Sequence, residues 1–256
     1  STRFSGYRQA GVNRLSLGFQ SLQDTQLQRL GRIHSAAQAV AAFGQAREAG
    51  FANINVDLMH GLPEQSREDA LQDLEAVLTL APEHLSWYQL TIEPNTAFYR
   101  SPPTLPFEET LWDIQQAGHT LLVDRGYQHY EISAYARPGQ ESRHNLNYWT
   151  FGDYLALGAG AHGKLTDVRD GRILRYWKTR QPDHYLRRTG HFIAGRQLLE
   201  DDDLPFEFMM NALRLINGVP TSLYLQRTGR SWAAFSTRLE ELRRSGLLTD
   251  APGTWC

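Results

Sequence analysis

The sequence predicts an α/β chain in which a parallel, helix-covered sheet forms part of a barrel and is followed by a small α-rich, winged-helix-like unit. Three observations lead there. First, the apolar stretches GVNRLSLGFQS, NINVDLMHGLP and HLSWYQLTI read as strands, each near turn residues, and helix-period segments separate them. Second, parallel strands joined through helices are βαβ units, whose crossovers lay helices against the sheet. Third, beyond residue 200 the pattern becomes helix, helix, helix, strand, the order of a winged helix.

Taken in order, the first strand (residues 11–21) sets Val12, Leu15, Leu17 and Phe19 among small or polar residues, with Gly18 near its end. Residues 22–30 are short and amphipathic. Ser35 then caps an Ala-rich helix running through Glu48 and closed by Gly50. The core of the second strand, Ile54, Val56, Leu58 and Met59, is too short for a helix and stops at Gly61 and Pro63. Ser66 with Asp69 forms a capping box for a helix to about Leu80, stopped by Pro82, and residues 84–92 give the third strand. Three strands cannot close a barrel, so this reads as its later part, with the opening strands missing. A sheet lacking those neighbours has an open edge, which predicts aggregation or partial unfolding of the piece alone.

Residues 95–106, with three prolines, read as a loop across the strand ends, and residues 107–124 as a helix ending at Gly126. YEISAYA (130–136) is expected to be one further strand, leading into an exposed polar stretch at 138–143. HNLNYW (144–149) and YLALGAGAHGK (154–164) follow; Gly158, Gly160 and Gly163 in the latter admit close backbone approach. Residues 172–188 read as a solvated basic face with packed aromatics, and the acidic run at 200–203 as a solvated linker. In 204–216, Phe206, Met209, Met210, Leu213 and Ile216 recur at helical spacing, the expected core stripe. Residues 221–227 and 232–245 supply two more helices, and Gly246, Leu247, Leu248 and Thr249 the start of a strand, with Cys256 arriving before a second wing strand returns. The expected division is 1–200 for the barrel part with accessory strands and 201–256 for the truncated winged-helix-like domain.

A net charge of −2 gives no electrostatic case for nucleic acid. No long apolar run or signal peptide is present, so no membrane span and a cytoplasmic location are expected. Cys256 is the single cysteine, so neither a disulfide framework nor a cysteine metal site can be built within the chain.

Ligands of parallel α/β sheets sit at the C-terminal strand ends, here Gln20, Asp57 with the GLP turn, and residues 91–94. A buried carboxylate such as Asp57 costs roughly several kcal/mol to desolvate unless something donates to it, so it is a structural acceptor or faces a site. Gln20 and Asp57 suit ribose hydroxyls, and Arg32 suits a carboxylate that it meets with two parallel hydrogen bonds. Together they suit a nucleoside carrying an amino-acid tail. Ser16 is not in a G-x-S-x-G context and no H-E-x-x-H occurs. His144 and His162 read as hydrogen-bonded histidines or as an unsupported metal pair. Beside His144, a potential axial nitrogen ligand, Tyr148 and Trp149 either cover a flat macrocycle or anchor a loop against the rim.

GVNRLSLGFQS, LGRIH, NVDLMHGLP, HLSWYQLTIEPNT, HNLNYW and LGAGAHGK stand in an order and spacing that resemble the coproporphyrinogen III oxidase-like radical S-adenosylmethionine proteins, in their haem chaperone branch. The resemblance covers nearly the whole chain, and HNLNYW marks the branch. It implies part of a (βα)6 radical S-adenosylmethionine, TIM-like barrel with the cofactor across the strand ends. By motif, Gln20, Arg32 and Asp57 resemble cofactor-contacting positions, with Thr91 and His162 corresponding to residues that line the adenosine. His144, Asn145, Tyr148 and Trp149 would contact haem, with His144 the iron ligand. The family's CxxxCxxC loop for a [4Fe-4S] cluster and its Gly-rich methionine-binding segment do not occur in these residues, so this chain is expected not to cleave the cofactor reductively by itself.

The resemblance implies haem and haem-acceptor proteins as partners and admits a homodimer. It yields three readings of the parent protein: a haem chaperone, an oxygen-independent coproporphyrinogen III oxidase, or a non-haem interaction module scaffolded by the barrel remnant. Gln20, Arg32 and Asp57 serve the first two equally.

Overall fold

The computed structural model describes residues 2–248 and 253–255. Two compact units result, 1–141 and 142–256.

In the first unit, helix α1 (Thr2–Gln9) precedes strand β1 (Leu15–Gln20), and α2 (Asp24–Arg29) and α3 (Ala36–Glu48) lead to β2 (Ile54–His60). Helix α4 (Arg67–Thr79) crosses to β3 (His84–Gln89), followed by α5 (Ala97–Arg100), α6 (Glu108–Asp124), β4 (Gln128–Glu131) and β5 (Ala134–Ala136). The five-stranded sheet has the order β1-β2-β3-β5-β4, with β1, β2 and β3 parallel as the βαβ pattern requires. Both predicted helix starts carry reciprocal capping boxes, Ser35 with Gln38 and Ser66 with Asp69. Each box satisfies two otherwise orphaned backbone donors, and removing such a cap costs about 1 kcal/mol.

YEISAYA is not one strand. It folds back at Ile132 and Ser133, so β5 pairs antiparallel with both β3 and β4. An alternation that persists through a two-residue turn hides the reversal, and Ser133 signals it only weakly. The reversal places the Ser133 carbonyl where it accepts from the Trp87 N–H at 2.9 Å.

The period-2 alternation divides the sheet into two chemically different faces. Phe19, Ile54, Val56, Leu58, Leu85 and Trp87 bury against α3, α4 and α6, meeting Phe43, Leu74 and Ile114. Ser16, Asn55, Asp57, His84, Ser86 and Tyr88 occupy the opposite face. Beneath the first face, α6 presents Gly118 to Trp87. A Cβ at Gly118 would lie 1.9 Å from the Trp87 indole, so a helix-weakening residue is required by close approach.

The second unit starts with α7 (Arg143–Trp149), then β6 (His162–Thr166), β7 (Ile173–Lys178), α8 (Pro182–Leu186) and β8 (Ile193–Leu198), the three strands forming an antiparallel sheet. Helix α9 (Leu204–Ala212), β9 (Val219–Pro220), α10 (Ser222–Thr228), a 3-10 turn (Trp232–Phe235), α11 (Ser236–Arg244) and β10 (Thr254–Trp255) complete it. HNLNYW is thus helical, with Ser142 capping it by accepting from the Asn145 N–H.

The predicted stripe of α9 is on the wrong side. Leu204, Phe208 and Ala212 are buried, and Phe208 meets Phe151, Tyr224 and Trp232 edge-on. Phe206 and Met210 are 69% and 60% exposed, and Leu213 and Ile216 are also largely exposed; Met209 packs at the margin of the core. Two apolar stripes satisfy the same periodicity here, and the core took the one offering Phe208 to the aromatic cluster. Gly246, Leu247 and Leu248 form a turn, not a strand, and Thr249 lies outside the described residues. A two-residue pairing of β9 with β10 supplies a small antiparallel ladder that the pattern did not predict.

Candidate functional site

Strand β1 ends at Gln20, whose backbone takes a left-handed φ of 69°. The strained turn is held by Asp73 of α4, which accepts from the Ser21 hydroxyl at 2.5 Å and the Leu22 N–H at 3.0 Å. Burial pushes the Asp73 carboxyl up, against the lowering effect of those donors. The Gln20 side chain then folds back over Gly18, where a Cβ would stand 2.7 Å from its Nε2. Its Oε1 accepts from the Tyr88 hydroxyl at 2.8 Å.

Arg32 follows Gly31, which closes α2 with a φ of 68°. Nε2 of His34 lies 3.2 Å from the Phe19 carbonyl, tying this loop to the end of β1. Asp57 is the fourth of seven residues in β2, half-buried on the polar face, where the expectation had grouped it with the strand ends. Its Oδ2 accepts from Ser16 at 2.9 Å and its Oδ1 from the Asn55 amide at 2.8 Å, so the carboxylate is hydrogen-bonded on both oxygens.

Gln20 is hydrogen-bonded to Tyr88, and Asp57 and Arg32 are near enough for their charges to reach its phenol. Burial chiefly pushes the Tyr88 phenol up, the nearby Asp57 charge adds to this, and Arg32 and the Gln20 bond pull it down. Thr91 lies close by in the chain: with Tyr88, His60, Trp87 and Ser133 it lines a cavity of about 420 Å³. Its hydroxyl donates to Glu93 at 3.1 Å.

A layer of polar residues that the motifs did not single out supports Asp57. The Asn55 amide donates to Ser16 at 2.7 Å as well as to Asp57, so its Oδ1 is left to accept from Ser86 at 3.1 Å and from His84 Nδ1 at 2.6 Å. His84 therefore carries its proton on Nδ1, and its Nε2 accepts from Tyr130 at 2.7 Å. Burial first, and the Arg14 charge second, push the His84 imidazole down to about 3, which keeps it neutral. Alternate positions within two apolar strands, Asn55 and Asp57, His84 and Ser86, were the available signal.

His162 opens β6 in the second unit, exposed, with its ring stacked on Trp177 at 6.2 Å. In the same unit His144 is exposed on α7, one turn from Tyr148, with ring centroids 4.6 Å apart. Tyr148 also meets Tyr154 at 4.4 Å. Trp149 carries the Arg214 guanidinium over its ring at 4.3 Å, and Asn145 is half-buried in the first turn of α7. Among the described residues no group of three or more His, Cys, Asp or Glu is arranged to hold a metal ion, and no helix is long and apolar enough to cross a membrane.

The radical SAM superfamily model matches residues 3–77, and the HemN C-terminal domain model matches 199–256. The chain is 49% identical over 253 residues to the heme chaperone HemW of Haemophilus influenzae, covering 99% of this chain and 65% of that protein. The chain belongs to the HemW-like, coproporphyrinogen III oxidase-like family of radical S-adenosylmethionine proteins. The heme chaperone HemW of Escherichia coli is also 49% identical, with 99% of this chain and 66% of that protein covered. The mouse mitochondrial radical S-adenosyl methionine domain-containing protein 1 is 38% identical, over 96% of this chain and 59% of its own length. The chain thus spans just under two thirds of the two bacterial relatives. In fold it is similar to the coproporphyrinogen III oxidase HemN of Escherichia coli, with a TM-score of 0.78 at 22% identity, covering 99% of this chain and 62% of that one.

The family implies S-adenosylmethionine and a [4Fe-4S] cluster. The donor set includes groups that the former calls for: an Arg32 guanidinium able to meet a carboxylate, and the hydrogen-bonded Gln20 carboxamide and Asp57 carboxylate able to meet hydroxyls. For the cluster the residues do not fit, since the chain has one cysteine and a cluster takes several thiolates.

Proposed function

We propose that this chain forms the cofactor rim and the haem-contacting helix of a haem chaperone that binds haem and passes it to haem-requiring proteins in the cytoplasm. The observation that carries the reading is the 49% identity to two proteins named heme chaperones; the Tyr88–Gln20 bond, with Asp57 and Arg32 nearby, supports a cofactor rim that the oxidase reading would share. Gln20 and Asp57 hold the ribose of S-adenosylmethionine and Arg32 its carboxylate, while Thr91 lines the adenosine. When bound with a reduced cluster, the cofactor supplies radical chemistry, which this chain's own residues do not provide. Their part is to orient it and to keep the Asp57 carboxylate directed by Ser16 and Asn55.

Haem is the cargo. His144 is its iron ligand, Asn145 lines the site, and Tyr148 and Trp149 form the aromatic wall, Tyr148 lying beside His144 and Trp149 held against Arg214. The working division of the chain is 1–200 and 201–256, which the match of the HemN C-terminal model to 199–256 supports.

A haem titration of the full-length parent and of His144→Ala tests this. The parent develops a Soret band that the substitution weakens; unchanged spectra would remove His144 from the ligand role. Porphyrinogen decarboxylation, the oxidase reading, would use the same rim and is tested by assaying the parent for that reaction.

A further inference from the structure

The rim has a residue that touches Gln20 and to which no binding role has been given. Tyr88 stands on the polar face of β3 opposite Met59, in the strand that also carries Ser86 and His84. Its hydroxyl donates to Gln20 Oε1 at 2.8 Å, and the carboxamide lies back over Gly18, whose missing side chain leaves the space. A carboxamide has one acceptor end and one donor end. With Oε1 held by Tyr88, the carboxamide orientation is set and its Nε2 end is the donor that Gln20 offers. Asp57, ionised, can only accept. The pair therefore presents one donor and one acceptor, the complement of a hydroxyl, which both donates and accepts.

We propose that Tyr88 is a positioning residue that fixes the orientation of the Gln20 carboxamide, so that the rim selects ligands bearing ribose hydroxyls over deoxyribose ligands. This rests on the reading of Gln20 and Asp57 as the ribose-binding pair. Without the Tyr88 hydroxyl, the carboxamide is free to flip and to offer its oxygen, which an acceptor-only neighbour cannot complement. A site built to hydrogen-bond a hydroxyl rejects an analogue lacking it, because its own polar groups are then left unpaired. Loss of the orienting bond reduces that rejection. Overall affinity through the amino-acid tail and the base is largely kept.

The experiment measures dissociation constants of S-adenosylhomocysteine and its 2′-deoxy and 3′-deoxy analogues on the full-length parent, by calorimetry or equilibrium dialysis. The preference for the ribose ligand over one or both analogues should fall by about three- to tenfold in Tyr88→Phe, the loss expected of one neutral hydrogen bond. Gly18→Ala provides a second variant that leaves Tyr88 intact: its methyl would stand against Gln20 Nε2, displace the carboxamide and lower the same ratio. Gln20→Ala should abolish the Tyr88 effect, so that adding Tyr88→Phe to it changes the ratio no further. A merely structural role for Tyr88 would weaken all the ligands alike in either background, and that result overturns the proposal. If Gln20→Ala and Asp57→Ala leave the ribose preference intact, the ribose-binding reading itself fails and the proposal with it. If they reduce it while Tyr88→Phe and Gly18→Ala do not, the positioning role alone fails.

Discussion

Acid should unfold the first unit through His84, and the size of the effect follows from the hydrogen-bond chain. His84 is 1% exposed, donates through Nδ1 to Asn55 and accepts through Nε2 from Tyr130, so protonating it in the folded state forces the Tyr130 bond to reverse and places a buried charge near Arg14. Its folded value is about 3, against an ordinary 6.5 when unfolded. The unfolded chain therefore binds one more proton than the native one between those limits. Stability is fully present above pH 6.5 and falls as the pH falls, by about 1.4 kcal/mol per unit. Between pH 7 and pH 5 this amounts to about 2 kcal/mol from His84. His60, 4% exposed, packed at a tilt against Trp87 and held down to about 4 by burial, adds a similar loss. The assay is denaturant unfolding followed by circular dichroism at several pH values, for the parent chain and for His84→Gln. The variant is less stable at pH 7 because it disturbs the Asn55 network, but its loss between pH 7 and pH 5 is about 2 kcal/mol smaller. Equal acid losses in the two proteins would refute the argument, as would an NMR titration in which His84 protonates near 6.5.

Two further predictions concern packing. Gly118→Ala inserts a methyl into the Trp87 indole, so it should destabilise the first unit by about 1–3 kcal/mol in denaturant melts, although alanine is the better helix former. On α9, Phe208→Ala should cost about 3–5 kcal/mol, whereas Phe206→Ser, on the exposed side, should stay within about 0.5 kcal/mol. Reversed costs in thermal or urea unfolding would restore the stripe that the periodicity first suggested.

The parallel strands and both capping boxes were legible because each depends on local sequence: turn residues bounding short apolar runs, and a Ser three residues before Gln or Asp. Gln20, Arg32 and Asp57 were legible as motif residues and as rim chemistry. The contact of Tyr88 with Gln20 was not. Tyr88 is an aromatic residue in an apolar strand, and that its hydroxyl turns toward Gln20 depends on the β1–β2–β3 register. Asn55 and His84 likewise read as strand polar residues until pairing set them opposite each other. The hairpin inside YEISAYA and the side of α9 chosen by the core failed for a shared reason. Two arrangements satisfied the periodicity, and tertiary partners, β3 in one case and the Tyr224–Trp232 cluster in the other, decided between them.

The central claim is that Arg32 meets the amino-acid carboxylate and Asp57 the ribose of one ligand. Its most direct test compares S-adenosylhomocysteine with 5′-methylthioadenosine, which lacks the amino-acid tail, on the full-length parent, Arg32→Ala and Asp57→Ala. The account predicts that Arg32→Ala weakens S-adenosylhomocysteine by roughly ten- to a hundredfold and spares methylthioadenosine, while Asp57→Ala weakens both. An Arg32→Ala protein that binds S-adenosylhomocysteine as tightly as the parent, or that loses both ligands equally, would contradict it.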